Sequence, residues 1–190
     1  KTIMEMYELG HCRDNDSDCK NNNYIIFENH QRLSILEKRY DLNDKFIFTF
    51  VRNPYSRVVS WFNFHKSNPV YSNLSLNEWV KKGCPHHWKR QNATHWDRDK
   101  LSPLLQYNFI DSNFKVDYIG KMETFEEDND RLIEIINTIF ELNNIPKRIK
   151  YKKTHRTKGG NSTNEKLTEE SKEIIYNLFK KDFEYFGYEK

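Results

Sequence analysis

The segment richest in usable chemistry is FIFTFVRNPYSRVVSWF, residues 46–62. Arg52 closes a run of apolar and β-branched residues, and Ser60 follows eight positions later. If the run is a buried strand and a helix begins at Pro54, Ser60 lies about two turns into that helix and can face back towards Arg52. A guanidinium presents a planar fork of donors and a hydroxyl adds a neutral one. Beside a helix amino terminus the two suit a phosphate monoester. The plainer alternative is that Arg52 only caps the helix or forms a surface pair. A second concentration of charge is KRIKYKKTHRTK at residues 147–158, which is either a solvated loop or a local grip on an anion. The net charge of +3 is too mild to mark a nucleic-acid coat.

These residues need elements to hold them. KFIFTFV at 45–51 is the strongest strand signal, and YIIF at 24–27 and VDYIG at 116–120 are shorter ones. Residues 2–9 and 32–40 carry helical spacing, and 10–23 reads as a polar loop. From Pro54 a helix is expected with Asn53 as its cap, since proline in the first turn loses no hydrogen bond. Residues 68–105 are irregular apart from a short helix near 75–82. An amphipathic helix is expected over 130–142, a basic loop over 147–166, and a closing helix capped by Thr168. Strands alternating with helices predict an α/β fold with a parallel sheet. With 190 residues, no repeat and no linker, one domain is expected. The aromatic share of 15% argues against disorder, because such rings bury enough area to offset ordering entropy. No apolar run approaches the ~18 residues of a membrane span, and no signal peptide is visible. Cys12 and Cys19 are spaced to close a small loop, with Cys84 left over.

Residues 46–62 resemble the 3′-phosphate-binding element of PAPS-dependent sulfotransferases, a strand followed by R-[DN]-P-x-x-R and a serine eight residues after the first arginine. The likeness is greatest to the carbohydrate sulfotransferases, in the branch of the heparan 2-O-sulfotransferases and related bacterial and viral proteins. VDYIGKMETFEEDNDRLIEII at 116–136 is similar to that family's V-D-[FY]-I-G-[KR]-x-E segment, where an architectural role is expected. KKDFEYFGY at 180–188 resembles its closing D-F-x-x-F-G-Y, read as packing. The resemblance implies a P-loop NTPase-like three-layer fold, a central, mostly parallel sheet flanked by helices. It also implies sulfuryl transfer from PAPS to a hydroxyl, with PAP released and no metal or nucleic acid involved.

By the same resemblance Arg52 and Ser60 bind the 3′-phosphate of PAPS. The chain opens at Lys1 without a first strand, so most of the phosphosulfate-binding P-loop and its lysine are expected upstream. Lys1 and Thr2 are either the end of that loop or ordinary helix residues. His30, three residues after YIIF, is the candidate base for the acceptor hydroxyl, because a neutral imidazole is basic at working pH. Here Glu28 and Asn29 precede it where relatives have a glycine. Arg156, Lys158 and Gly159 are candidates for a loop folding over the 3′-phosphate, with Lys153 in reserve. Trp88, Lys89, Arg90 and Trp96 are candidates for the carbohydrate acceptor, through ring stacking and pairing with acidic glycans; plain packing is the alternative. Cys84, His86, His87 and His95 lack the spacing of a zinc site. Gln106 is compared with a P-Q dipeptide in relatives, although Pro103 is not adjacent. The implied compartment is the Golgi lumen for a eukaryotic source and the cytoplasm for a bacterial or viral one. Two other functions share the sheet: a P-loop kinase-like phosphotransferase and a non-catalytic glycan- or polyanion-binding module.

Overall fold

The computed structural model describes residues 32–43, 45–66, 73–85, 105–139 and 164–190. The expected helix at 2–9, the strand at 24–27 and the pair Cys12 and Cys19 lie outside these residues. The described elements are mixed α and β. They run α1 (Leu33–Leu36), β1 (Phe48–Val51), α2 (Pro54–His65), α3 (Leu76–Lys81), α4 (Tyr107–Ile110), β2 (Tyr118–Lys121), α5 (Phe125–Ile139), α6 (Glu169–Leu178) and α7 (Lys180–Phe186). A short 3-10 turn, Met122–Thr124, joins β2 to α5.

Among the described residues β1 and β2 form a two-stranded parallel sheet, registered from Phe48 opposite Tyr118 to Val51 opposite Lys121. Parallel neighbours need a long crossover, so 66 residues separate the end of one strand from the start of the other. Gly120 faces Phe50 across this ladder, and the Phe50 ring occupies the space where a Cβ would stand. Only glycine lets the ring lie flat against the neighbouring backbone at this point.

The main core is built between helices. Val58 and Phe62 of α2 meet Leu76, Trp79 and Val80 of α3 and Ile175, Phe179 and Phe183 from α6, α7 and the bend between them. These aromatics interlock at close range: Phe62 and Trp79 ring centres are 5.5 Å apart, and Tyr55 and Phe183 5.0 Å. Cys84 joins the same core, fully buried, and burial pushes its thiol up to about 12. A smaller cluster of Leu33, Leu42 and Ile47 sits beneath β1.

Caps mark the helix starts. Asn53 accepts from the Tyr55 N–H at 2.9 Å with Pro54 in the first turn, as its residue type dictates. Ser75 and Glu78 form a reciprocal capping box on α3, and Thr168 accepts from the Ser171 N–H at 3.2 Å on α6.

Three expected helices differ from the observed ones. The helix of 32–40 stops at Leu36, because the chain turns to seat Tyr40 and Leu42 against Leu33. The helix expected from 130 starts at Phe125, whose ring lies 5.0 Å from that of Phe50. Its first turn is acidic rather than apolar, favourable at a helix amino terminus yet invisible to hydrophobic periodicity. The closing helix breaks at Phe179, which has φ −114° and ψ 20°. The break turns α7 so that Asp182, Phe183 and Phe186 all point inward.

Candidate functional site

Where β1 ends, the chain makes a tight turn through Arg52 and Asn53 into α2. Two acidic side chains from the β2 segment bracket β1. Asp117 accepts from the Ile47 N–H at 2.7 Å below the ladder, and Glu123 accepts from the Asn53 N–H at 2.9 Å above it. Both bonds keep a separation of 70 residues, the offset of the ladder itself. Carboxylates thus continue the pairing where backbone cannot, satisfying N–H groups that the sheet leaves over.

Gln106 holds the residue between. Its Oε1 accepts from the Arg52 N–H and its Nε2 donates to the Arg52 carbonyl, each at 2.8 Å. Asp182, fully buried on α7, accepts from the backbone N–H of Gln106 and of Tyr107 at 2.9 Å each, and so caps α4. The same carboxylate lies 3.8 Å from a terminal nitrogen of Arg57. Burial raises the Asp182 pKa, against the pull of those two N–H groups and of Arg57. Burial likewise lowers Arg57 to about 10, with Asp182 opposing. The Arg57 guanidinium also lies over the Trp61 and Phe179 rings, 5.4 and 5.9 Å from their centres.

The Arg52 side chain runs along the first turn of α2, its Nε donating to Ser56 Oγ at 3.2 Å. The Ser56 hydroxyl is itself 3.1 Å from the Asn53 carbonyl and 3.2 Å from Glu123 Oε1, either of which takes its proton. Ser60 is four residues beyond Ser56 and therefore on the same face of α2. Among the described residues no carboxylate pairs with Arg52, and neither its terminal nitrogens nor the Ser60 hydroxyl has a hydrogen-bond partner.

Glu123 closes the arrangement from the other side. Its Oε2 accepts from the Tyr188 hydroxyl at 3.0 Å. Gly187, at φ 63°, supplies the left-handed turn after α7 that brings Tyr188 there, with the Tyr188 N–H bonded back to the Phe183 carbonyl at 3.0 Å. Partial burial works against the Glu123 charge, but hydrogen bonds from the Asn53 N–H, Tyr188 and Ser56 hold its carboxyl below the usual range. Burial and the Glu123 charge push the Tyr188 hydroxyl up.

Of the residues singled out from sequence, Arg52 stands at this turn and Ser60 in the middle of α2, both half-buried. Lys1, Thr2, His30, Trp88, Lys89, Arg90, Trp96, Arg156, Lys158 and Gly159 lie outside the described residues, as does Lys153. A groove of about 260 Å³ lined by Tyr107, Asp111, Asn113, Lys115 and Tyr185 is separate from the turn and touches neither Arg52 nor Ser60. Sequence reasoning missed Ser56, Glu123, Asp182 and Tyr188, and saw Gln106 only by comparison. The available signal was their polarity: a carboxylate inside a packing motif needs a partner, and here the partners are parts of the turn.

Three stretches far apart in sequence therefore converge on residues 50–57, through Gly120 and Glu123, through Gln106, and through Asp182, with Tyr188 bonded to Glu123. A model of the sulfotransferase family matches residues 4–189, nearly the whole chain. Over 98 residues the chain is 34% identical to an uncharacterized protein of Archaeoglobus fulgidus, covering 50% of this chain and 71% of that one. No solved structure matches it. The turn that these segments hold is thus part of a chain that belongs to the sulfotransferase family, enzymes that transfer sulfuryl groups.

Proposed function

We propose that this sulfotransferase takes the sulfuryl group from PAPS and places it on a hydroxyl of a carbohydrate acceptor, releasing PAP. The observation that carries this reading is the contrast between two arginines five residues apart. Arg57 is committed to the buried carboxylate of Asp182. Arg52, at the carboxyl end of β1, keeps its terminal nitrogens unbonded among the described residues while its backbone and Nε are fixed. A guanidinium held at its root and open at its tip suits a phosphate, and the carboxyl end of a parallel strand is where open α/β sheets bind ligands.

In this reading Arg52 and Ser60 take the 3′-phosphate of the donor, with Arg156, Lys158 and Gly159 closing over it. Lys1 and Thr2 belong to the turn around the phosphosulfate, and the whole chain is one domain of three-layer, P-loop-like architecture. His30 accepts the proton of the acceptor hydroxyl as its oxygen bonds to sulfur and the bond from sulfur to the phosphate oxygen breaks. Trp88, Lys89, Arg90 and Trp96 face the sugar. Positioning and fixed charge supply the rate, so the reaction calls for no metal.

Titration calorimetry with PAP tests the assignment. Arg52→Ala removes a charge-assisted contact of about 1.5–3 kcal/mol, so affinity should fall roughly 10- to 100-fold. Unchanged affinity rejects it. Stabilisation by ADP with Mg²⁺ and none by PAP, read as a thermal shift, would favour a phosphotransferase instead.

A further inference from the structure

We propose that Gln106 is a positioning residue for the donor site, acting through Arg52; this rests on the donor reading above. The main-chain groups of Ile47 and Asn53 face the β2 segment, so those of Arg52, one position out of step, face the opposite edge of β1, where no strand among the described residues pairs with it. Gln106 takes that place. One primary amide meets both main-chain groups of Arg52, the N–H through Oε1 and the carbonyl through Nε2, each at 2.8 Å. A residue of a neighbouring antiparallel strand would offer the same donor and acceptor.

The clamp is fixed at its own root. The Gln106 N–H donates to Asp182 Oδ2 and the Tyr107 N–H to Asp182 Oδ1, both at 2.9 Å, and Asp182 is fully buried. Glu123 holds the next residue along the turn through the Asn53 N–H at 2.9 Å. Backbone direction at residue 52 is thereby set before any ligand arrives, and with it the direction in which the guanidinium leaves the chain. Arginine is long and rotamer-rich, so a small error at its Cα moves its tip far. Ser56 takes Nε at 3.2 Å and fixes the side chain midway. What remains for the phosphate is a pre-aimed fork.

Few residues can do this. Asparagine is one methylene shorter, leucine has the bulk without the bonds, and glutamate accepts from the N–H but offers the carbonyl no donor. The test compares wild type with Gln106→Leu, alone and in an Arg52→Ala background, by PAP calorimetry, with circular dichroism for the fold. Gln106→Leu should weaken PAP roughly tenfold, the effect of about one lost hydrogen bond to a charged group. In the Arg52→Ala background the same change should cost less than about twofold, because a residue acting through Arg52 has nothing left to position. The KM for PAPS should rise with that for the acceptor unchanged.

A Gln106→Leu protein that folds and binds PAP like wild type overturns the proposal, as does an equal loss in both backgrounds, which would mean a general structural role. Should Gln106→Leu fail to fold, Gln106→Glu keeps the bulk and one of the two bonds, and the same pair of outcomes decides. Wild type that does not bind PAP removes the donor reading and the proposal together. Wild type that binds, loses PAP on Arg52→Ala and keeps it on the Gln106 change removes only the role of Gln106.

Discussion

Asp182→Ala is the most informative single perturbation, because that carboxylate is fully buried and serves three groups at once. Its loss takes the buried carboxylate of Asp182 away from the Arg57 guanidinium, which costs about 3–5 kcal/mol for a wholly buried pair. The separation of 3.8 Å and the 20% exposure of Arg57 place this case at or below the lower end. The N–H groups of Gln106 and Tyr107 lose their acceptor too, but both residues are only half-buried and water can partly replace it, at about 0.5–1 kcal/mol each. Together these give about 4 kcal/mol. For a chain of this size that corresponds to a fall in melting temperature of about 8–16 °C by calorimetry or circular dichroism. Removing both charges with Arg57→Met and Asp182→Ala should recover the ion-pair share and leave the cost of the two N–H groups. A single change costing less than about 1 kcal/mol, or a double change no better than the single one, would refute the reasoning.

The remaining expectations concern the strand and the turn. Gly120→Ala places a methyl in the space of the Phe50 ring, and such overpacking costs about 1–3 kcal/mol in urea unfolding; Phe50→Leu in the same chain should return part of it. Glu123 has its pKa held down by the hydrogen bonds it accepts, so its contribution is present above the unfolded value near 4.3 and is lost as pH falls through the folded one. Glu123→Gln should therefore melt lower than wild type at neutral pH, by about 1 kcal/mol or less given its exposure, with the gap closing below about pH 4. A gap that persists unchanged at pH 3 would contradict this.

Much of the local structure was legible from residue type. The β-branched run before Arg52, the Asn53–Pro54 start of α2, the Ser75 capping box and the Thr168 cap each follow from side-chain chemistry within a few residues. Boundaries set by packing were not. Nothing local stops the helix at Leu36 or breaks the closing helix at Phe179; the burial of Leu42 and of Asp182 does. The site divided in the same way. The positions of Arg52 after a strand and of Ser60 on a helix could be read because strand ends and helix faces are periodic features. Gln106 and Asp182 could not, because their meaning lies in partners 54 to 76 residues away, which no window of sequence contains.

Those separations also bear on how the protein acquires its function. The hydrogen-bonded anchors of the turn close loops of between 54 and 76 residues and the Arg57–Asp182 pair a longer one, and such closures come late, after their entropy has been offset by contacts elsewhere. The turn around Arg52 is therefore expected among the last parts of the molecule to take shape on the way to the native state. On the proposed reading, a nascent or partly folded chain, with strand and helix already in place, would still be unable to hold PAPS.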